Sequence, residues 1–518
     1  MKRSLSHIPY FVLLLPVFFV LHGYLENFGW IEPGACALLA GEYIGAAALC
    51  CGVSSLYYRD LVKAALMTVC LFAIYFFFGA VHDFLYNHSI FLHRYAILLP
   101  LLAGLLIFVF VALKRAGGAG GTEGTERGAR GAGRARQTFP RITLFLNTLL
   151  ILYILTDGAR IVWKAIHPDP DKLSVYNLLP AAGYRTCDTC ANPDIYFLLF
   201  DEYASSAALK QVYGYDNSAF DRWLEGNGFH IVTGSRGNYN YTPFCMASIL
   251  NMSYLHGFRT GAGVDVRDFA SCNTLIRHNE VLRYLGSRGY EVVNLSIFDL
   301  AGNPSPFNQF LLPVKTNLIT ERTLFYSVYR DLGWHLYTLP APISKVFGNI
   351  TYKSLKDNNA ILEQTEEAGM HKGSTPRFIY SHFEMPHSPF YYDAQRHSKP
   401  EQQLVKEMFQ TGDPKPYLGY LPYTNRKIME LVTSIRRHTH DSAVIIVMGD
   451  HGFRDNIPDS GYAHHFQNLN AVFIPDRDYH LFYDSMTGVN QFRVLFNKLF
   501  GQNFRLLSDS TITLRDNR

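Results

Sequence analysis

The apolar positions of this chain follow one pattern up to about residue 165 and another beyond it. The first part contains long apolar runs, and the second contains short runs separated by polar stretches. Five of the long runs approach the roughly 20 apolar residues that a helix needs to cross a bilayer. They predict membrane spans at 8–25, 35–57, 61–82, 95–113 and 142–163. A buried helical core explains one such run better than five, so the sequence predicts a transmembrane domain over residues 1–165.

The second part alternates between short apolar runs and amphipathic stretches. The runs predict strands at 194–200, 290–297, 377–383 and 443–449. The stretches between them predict helices at 217–226, 245–254, 278–287, 355–369 and 421–438. Largely apolar strands suit a sheet that is buried on both faces, as mostly parallel sheets are. We therefore expect an α/β domain over 193–518, with a mostly parallel central sheet flanked by helices, joined to the spans by an extracytoplasmic connector at 166–192.

The positive charges give the expected orientation. They lie before the first span, between the second and third, and in a Gly/Arg-rich linker at 114–141 that is predicted to be flexible. Short basic segments favour the cytoplasm, so five crossings place everything after Lys164 on the periplasmic or extracellular side of an inner or plasma membrane. Much of the net charge of +4 belongs to this linker, so it does not indicate nucleic acid binding. No glycine-rich nucleotide-binding motif follows a strand.

The cysteines agree with this topology. Four fall in the predicted spans, and the other four, Cys187, Cys190, Cys245 and Cys272, fall in the exported part. Disulfides persist outside the cytoplasm. Cys187 and Cys190 could form half of a zinc site or a redox pair, but a small disulfide loop is favoured because no second C-x-x-C follows. Cys245 with Cys272 is a plausible second bridge.

Two predicted strands end in residues that bind metals. Asp450-His451-Gly452 follows the strand 443–449, and Asp201-Glu202 follows the strand 194–200. Open α/β sheets bind ligands at the carboxyl ends of their strands. An acidic pair in this position also caps helices, so Asp201-Glu202 alone is a weak signal. The combination of three acids and a histidine predicts a metal site.

Further candidates surround these two strand ends in the sequence. Thr242-Pro243 opens a predicted helix, which is ordinary helix-start chemistry but also aims a hydroxyl and the positive dipole end at one point. His382 lies at the end of the strand 377–383 and His387 follows it, and His464 and His465 follow Asp450-His451. Surface histidines are the ordinary alternative for each pair.

In this order, the acidic pair, the hydroxyl, His-x-x-x-x-His and Asp-His-Gly with a further histidine resemble the alkaline phosphatase superfamily, in its sulfatase-like branch. The resemblance spans residues 193 to about 475. Sulfatases of this branch have a cysteine, oxidised to formylglycine, where this chain has Thr242, and an arginine where it has Met246. Five spans before an exported domain also resemble lipoteichoic acid synthases and the phosphoethanolamine transferases of lipid A, which use threonine at this position.

The resemblance implies a role for each candidate. Thr242 would be the nucleophile that forms a phospho-threonine intermediate. The cation ligands would come from Asp201, Glu202, Asp450, His451, His387 and His464, while His382 and His465 would contact the substrate. A mixture of carboxylates and imidazoles suits Zn²⁺ best, with Mn²⁺ as the alternative.

The expected function is a membrane-anchored, metal-dependent transferase. It would move a phospho-alcohol group, of the phosphoethanolamine or phosphoglycerol type, from a membrane phospholipid donor to an envelope glycan or lipid acceptor. Two alternatives remain open from the sequence. One is a hydrolase on the same site, either a phosphodiesterase or a sulfuric ester hydrolase, and the other is an inactive membrane scaffold.

Overall fold

The computed structural model describes residues 2–116, 126–167, 184–185, 187, 189–307, 314–337, 352–370, 373–409, 412–454 and 463–516. The chain forms two compact units. The first contains residues 1–170 and 311–333, and the second contains 171–310 and 334–518. Each unit has its own hydrophobic core. Most of the predicted connector at 166–192 lies outside the described residues.

The first unit is built from apolar helices. Its N-terminal helices are α1 (Lys2–His7), α2 (Phe11–Glu26), α3 (Pro33–Tyr58), α4 (Leu61–His88), α5 (Tyr95–Arg115) and α6 (Glu126–Ile166). Among the described residues, four segments are long and apolar enough to cross a membrane: α3, α4, α5 and the part Phe139–Ile166 of α6. The first predicted span corresponds to α2, which has 16 residues. At 1.5 Å per residue α2 is about 24 Å long, which is less than the hydrocarbon thickness of a bilayer.

The basic linker departs from its prediction. The sequence analysis treated 114–141 as flexible, but α6 already begins at Glu126. Residues 117–125 lie outside the described part of the chain. Alanine and arginine, which are frequent in this stretch, have high helix propensity, so the membrane helix extends into it despite the glycines.

A segment from the second half of the sequence completes the first unit. It comprises α12 (Asn317–Thr320) and the first part of α13 (Leu324–Tyr337). Its backbone approaches α4 so closely that a Cβ atom on Gly79 would lie 2.6 Å from the carbonyl oxygen of Arg322. The sequence analysis assigned this segment to the C-terminal domain, because its connection to the helices leaves no signal in the local pattern.

The second unit contains the predicted α/β fold. Its strands are β1 (Ile195–Phe200), β2 (His230–Ile231), β3 (Ala262–Val264), β4 (Glu291–Leu295), β5 (Arg377–Phe383), β6 (Val444–Met448), β7 (Asn470–Phe473) and β8 (Leu514–Asp516). Its helices are α7 (Ser206–Tyr213), α8 (Ser218–Gly226), α9 (Thr242–Asn251), α10 (Val266–Arg277), α11 (Glu280–Ser287), α14 (Lys353–Met370), α15 (Glu401–Phe409), α16 (Lys415–Thr439) and α17 (Gln491–Phe500). All four predicted strands and five predicted helices are present among them.

The central sheet has six strands in the order β2-β7-β6-β1-β5-β4. The four predicted strands form its parallel part, and β7 and β2 extend it antiparallel at one edge. Every residue of β1, β5 and β6 is buried, which explains why β1 and β6 are apolar throughout and β5 is largely apolar, rather than alternating. The fold class expected from the sequence, apolar N-terminal helices followed by an α/β domain, is therefore confirmed.

The cysteines of the second unit behave in two ways. Cys187 and Cys190 form a disulfide, as the sequence analysis favoured. Cys245 and Cys272 are free and buried, so the second predicted bridge is wrong. The Cys245 thiol instead donates a hydrogen bond to the carbonyl oxygen of Tyr239, at 2.9 Å.

Candidate active site

The register of two neighbouring strands brings two carboxylates together. Leu199 of β1 pairs with Met448 of the parallel strand β6. Two residues further along, the strands lead to Asp201 and Asp450, which therefore lie side by side at the carboxyl edge of the sheet. One ligand atom from each carboxylate and one from His451 lie within 4.8 Å of one another, and all three residues are buried.

Two glycines allow the loop after β6 to pass through this crowded edge. A Cβ atom on Gly449 would lie 2.6 Å from the carbonyl oxygen of Tyr203, and one on Gly452 would lie 2.2 Å from that of His464. Both obstacles are backbone atoms that cannot move aside. The glycine in the motif Asp-His-Gly is thus required by the close approach of two loops.

The hydroxyl of Thr242 points into the same group. Thr242 is the first residue of α9, with Tyr241 as the N-cap and Pro243 in the first turn, so the helix begins three residues before the predicted range 245–254. Its Oγ1 lies 3.2 Å from Asp201 Oδ1, to which it donates, and 3.3 Å from His451 Nε2. The predicted nucleophile therefore contacts two of the predicted metal ligands.

One hydrogen bond orients the ring of His451. Its Nδ1 lies 2.8 Å from the carbonyl oxygen of Gly452, which can only accept, so Nδ1 donates to it. The other ring nitrogen, Nε2, lies 3.1 Å from Asp450 Oδ2. Asp450 Oδ2 has no hydrogen-bond partner within the described part of the chain.

His382 adds a further unsatisfied atom. The residue is fully buried, and its Nδ1 lies 3.0 Å from the hydroxyl of Tyr380. Its Nε2 lies 3.7 Å from Asp201 Oδ2 and has no hydrogen-bond partner among the described residues. The sequence analysis gave His382 a role toward the substrate, and the structure places it directly beside the carboxylates.

The electrostatics of the two carboxylates differ. Burial, with the charge of Asp201 added to it, raises the pKa of Asp450. Burial would also raise the pKa of Asp201, but the neighbouring His382 and the positive charge of His387 hold it well below its usual range. Two carboxylates this close disfavour joint ionisation unless a cation neutralises them. The buried, unpartnered oxygen of Asp450 and the oriented nitrogen of His451 fit a divalent metal ion.

Glu202 lies outside this group, although it was a predicted ligand. Its carboxylate bonds to Arg454, with Nε donating to Oε1 at 2.6 Å. The other oxygen, Oε2, lies 4.0 Å from His387 Nε2. Burial acts to raise the pKa of Glu202, but the Arg454 charge, followed by that of His387, outweighs it and lowers this pKa.

His464 and His465 form part of a short 3-10 helix over Ala463–Phe466. The ring of His464 packs edge-on against Tyr213, at 6.0 Å between centroids, and lies outside the group of Asp201, Asp450 and His451. His465 lines a cavity beside the site. The carbonyl oxygen of His465 accepts from Gly452 N at 2.8 Å, so this short helix supports the motif through its backbone.

The cavity has a volume of about 910 Å³. Glu202, His387, Arg454 and Tyr241 line the part near the site. Tyr241 directly precedes Thr242 and Glu202 directly follows Asp201, so the cavity borders the site. Its size suits a substrate with a substantial head group.

The sequence analysis did not single out Arg454. The residue follows His451 by three positions and lies in a loop, where neither periodicity nor a spacing rule gives a signal. Its closeness to the Asp-His-Gly motif is the one feature of the sequence that could have indicated it.

Comparisons with known proteins support the resemblance. A family model described as Sulfatase matches residues 276–475, which include β5, β6, His382, Asp450 and His451. No curated protein matches the chain.

Three of the similar solved structures are described here. The C-terminal periplasmic domain of EcEptC from Escherichia coli is 10% identical, with 65% of this chain and 87% of that chain covered and a TM-score of 0.36. Its complex with Zn is 9% identical with the same coverage and a TM-score of 0.38. The phosphonate monoester hydrolase of Agrobacterium radiobacter is 11% identical, with 59% and 73% covered and a TM-score of 0.34.

The family match and the predicted order of motifs agree on one assignment. Residues 276–475 match the Sulfatase family, so this part of the chain is sulfatase-like.

Proposed function

We propose that the protein is a membrane-anchored transferase that moves a phospho-alcohol group from a membrane phospholipid to an envelope glycan or lipid. The observation that carries this proposal is the position of the Thr242 hydroxyl, 3.2 Å from Asp201 and 3.3 Å from His451. Formylglycine is made from cysteine, so a threonine here points away from ordinary sulfatase chemistry. It is instead suited to a covalent phosphoryl intermediate.

The reaction begins with transfer of the group to the enzyme. The Thr242 oxygen attacks the phosphorus of the donor, a new P–O bond to threonine forms, and the P–O bond to the lipid alcohol breaks. The Thr242 hydroxyl donates to Asp201 Oδ1, so the proton released on attack passes to this carboxylate and then to the departing lipid alcohol. The N-terminus of α9 adds the positive end of its dipole at the attacking oxygen. In the second step an acceptor hydroxyl attacks the phospho-threonine and releases Thr242.

A divalent ion belongs to this proposal, with Asp201, Asp450 and His451 as its ligands and Zn²⁺ favoured over Mn²⁺. When bound, it supplies Lewis-acid stabilisation of the deprotonated hydroxyl and of the developing phosphoryl charge. Glu202, His387 and His464, which the sequence analysis also assigned to metals, lie outside the group that these three residues form.

The proposed orientation places the catalytic domain outside the cytoplasm. The loop between α3 and α4 and the stretch 114–141, which includes the start of α6, carry the basic residues, which favour the cytoplasmic side. A single crossing by α6 then takes the chain to the opposite side, whether or not α2 also crosses. A lipid donor can reach a domain that is held at the membrane surface in this way.

The proposal is tested by Thr242→Ala in the full-length protein. Turnover of a labelled phospholipid should be abolished while the bound metal, measured by elemental analysis, is retained. Thr242→Ser is the matched variant, because it keeps a hydroxyl and should keep measurable turnover. Full activity of Thr242→Ala would show that Thr242 is not the nucleophile.

The second candidate is hydrolysis on the same site, and the match to the sulfatase family favours it. Water would then resolve the intermediate instead of an acceptor hydroxyl. Product analysis with a labelled phospholipid and an envelope fraction separates the two functions. Labelled glycan or lipid acceptor supports transfer, whereas release of the free phospho-alcohol alone supports hydrolysis.

A further inference from the structure

Arg454 lies on the cavity wall beside the candidate active site. Its side chain is 27% exposed, and its Nε donates to Glu202 Oε1 at 2.6 Å. The guanidinium carbon lies 5.1 Å from the centre of the Tyr241 ring. An ion pair and an aromatic face therefore hold this cation in one orientation.

Glu202 is placed to orient Arg454. Its carboxylate is buried, with 7% of the side chain exposed, and it contacts Arg454 through one oxygen and lies near His387 through the other. Glu202 has a left-handed backbone, with φ of 60°, which is uncommon for a residue with a side chain. Its carbonyl oxygen accepts from the Tyr417 hydroxyl at 2.9 Å, which holds this turn in place.

This turn separates the side chains of the acidic pair. Asp201 faces Thr242 and His382, whereas Glu202 faces the cavity. The backbone N–H of Glu202 donates to Asp450 Oδ1 at 3.1 Å, so the turn is also tied to the motif after β6. The two acids at the end of β1 therefore have different partners.

Arg436 provides a comparison within the same unit. It also pairs with a carboxylate, Asp441 at 2.7 Å, and also lies over an aromatic ring, that of Phe473 at 4.8 Å. It does not line the cavity near the site. The cavity position is what distinguishes Arg454 from an arginine with the same kinds of contacts.

We propose that Arg454 binds the anionic oxygens of the substrate's phosphoryl group, and that Glu202 positions Arg454 rather than binding the metal. A guanidinium is always charged, and its planar set of donors matches the oxygens of a phosphate group. Arg454 lies over the ring of Tyr241, the residue that directly precedes the attacking Thr242. This assignment rests on the proposed phosphoryl transfer for the identity of the anion.

The test measures binding rather than turnover. The full-length, metal-loaded Thr242→Ala protein is titrated with inorganic phosphate by calorimetry. The same titration is then made with the double variant that also carries Arg454→Gln. Loss of a charge-assisted contact should weaken binding by about 10- to 100-fold. Arg454→Lys keeps the charge but not the planar set of donors, so its phosphate affinity should lie between that of the parent and that of Arg454→Gln. An unchanged affinity in Arg454→Gln would overturn the role of Arg454.

Arg436→Gln in the same background is the matched control, and its phosphate affinity should equal that of the parent. An equal loss in both variants would show a general effect of removing an arginine and would also overturn the proposal. Because Thr242→Ala is the common parent, these results do not depend on which residue is the nucleophile. Failure of the proposed function would instead appear as normal turnover by Thr242→Ala.

The role of Glu202 is tested separately. Glu202→Gln should retain the bound metal, measured by elemental analysis, and should weaken phosphate binding less than Arg454→Gln does. Loss of the metal from Glu202→Gln would overturn the positioning role and assign Glu202 as a ligand.

Discussion

The two ends of the central strand β1 use the same kinds of residues in opposite ways. At the amino end, the Asp194 carboxylate accepts from Arg377 N at 2.8 Å and from its Nη2 at 2.7 Å. At the carboxyl end, Asp201 lies beside a second carboxylate, Asp450, and beside imidazole nitrogens. At the amino end, the negative charge of Asp194 is neutralised by Arg377 of the protein itself. The carboxyl end gathers negative charge and leaves a buried oxygen without a partner.

The amino end of β1 therefore contributes to stability, whereas the carboxyl end contributes to function. A buried carboxylate paired with a fixed cation contributes to folding as long as both partners are present. Two adjacent buried carboxylates instead oppose each other and cost stability until a cation binds. The carboxyl end of β1 therefore lowers the stability of the fold until a ligand binds there. Substitutions at the two ends should have opposite consequences.

The largest effect is expected for Asp450→Asn at the carboxyl end. The amide keeps the shape and still accepts from the Glu202 N–H, but it removes the charge of a proposed ligand. Metal content should fall, and turnover should drop by about 10³-fold or more. Elemental analysis and the phospholipid assay measure the two quantities.

The unfolding temperature of the metal-free form of this variant gives a second test of the difference between the two ends of β1. Because one of two repelling charges is gone, Asp450→Asn without metal should unfold at the same temperature as the metal-free wild type, or higher. A clearly lower melting temperature would contradict the account of the carboxyl end.

The next effect concerns the amino end, where Asp194→Asn leaves the buried Arg377 charge without its partner. Arg377 is 9% exposed and Asp194 15% exposed at the side chain, so solvent screens the pair weakly. Breaking such a pair should cost about 3 kcal/mol of folding stability. Thermal unfolding of the detergent-solubilised protein measures this loss.

Metal content and turnover of the folded Asp194→Asn protein should equal those of the wild type. Loss of metal together with stability would show that the two ends of β1 are not independent.

The smallest effect is a pH dependence from His387. Burial lowers the pKa of this imidazole, but the charges of Glu202 and then Asp201 outweigh it and raise the pKa to about 9. A histidine that binds its proton more tightly when folded contributes stability that is complete below its unfolded pKa of about 6.5. That contribution is lost as the pH rises through about 9. The melting temperature of metal-free protein should therefore fall over this window, and less so in His387→Gln. Parallel curves for both proteins would argue against the raised pKa.

The sequence predicts the parallel strands of the sheet well, because each is a largely apolar run with the length of a strand. It also predicts that Asp201 and Asp450 meet, since parallel neighbours end at one edge. The antiparallel strands β2 and β7 are too short, at 2 and 4 residues, to form a pattern of their own. The placement of 314–333 with the membrane helices depends on contacts distant in sequence, such as that of Gly79 with Arg322.

Within the site, chain order identifies the residues but not the direction of their side chains. Asp201 and Glu202 are adjacent and equally acidic, and only the left-handed turn at Glu202 decides which one faces Thr242. The role of Arg454 cannot be predicted from the sequence for a related reason. Its role depends on the position of a loop beside Tyr241, which no spacing rule describes.

The central claim is that Thr242 becomes covalently modified during turnover. Its most direct test is the intact mass of the metal-loaded protein, quenched with acid after exposure to a phospholipid donor, followed by peptide mapping. The account predicts the added mass of one phospho-alcohol group on the peptide that contains Thr242 and none in Thr242→Ala. An adduct on a different residue, with turnover preserved in Thr242→Ala, would contradict it.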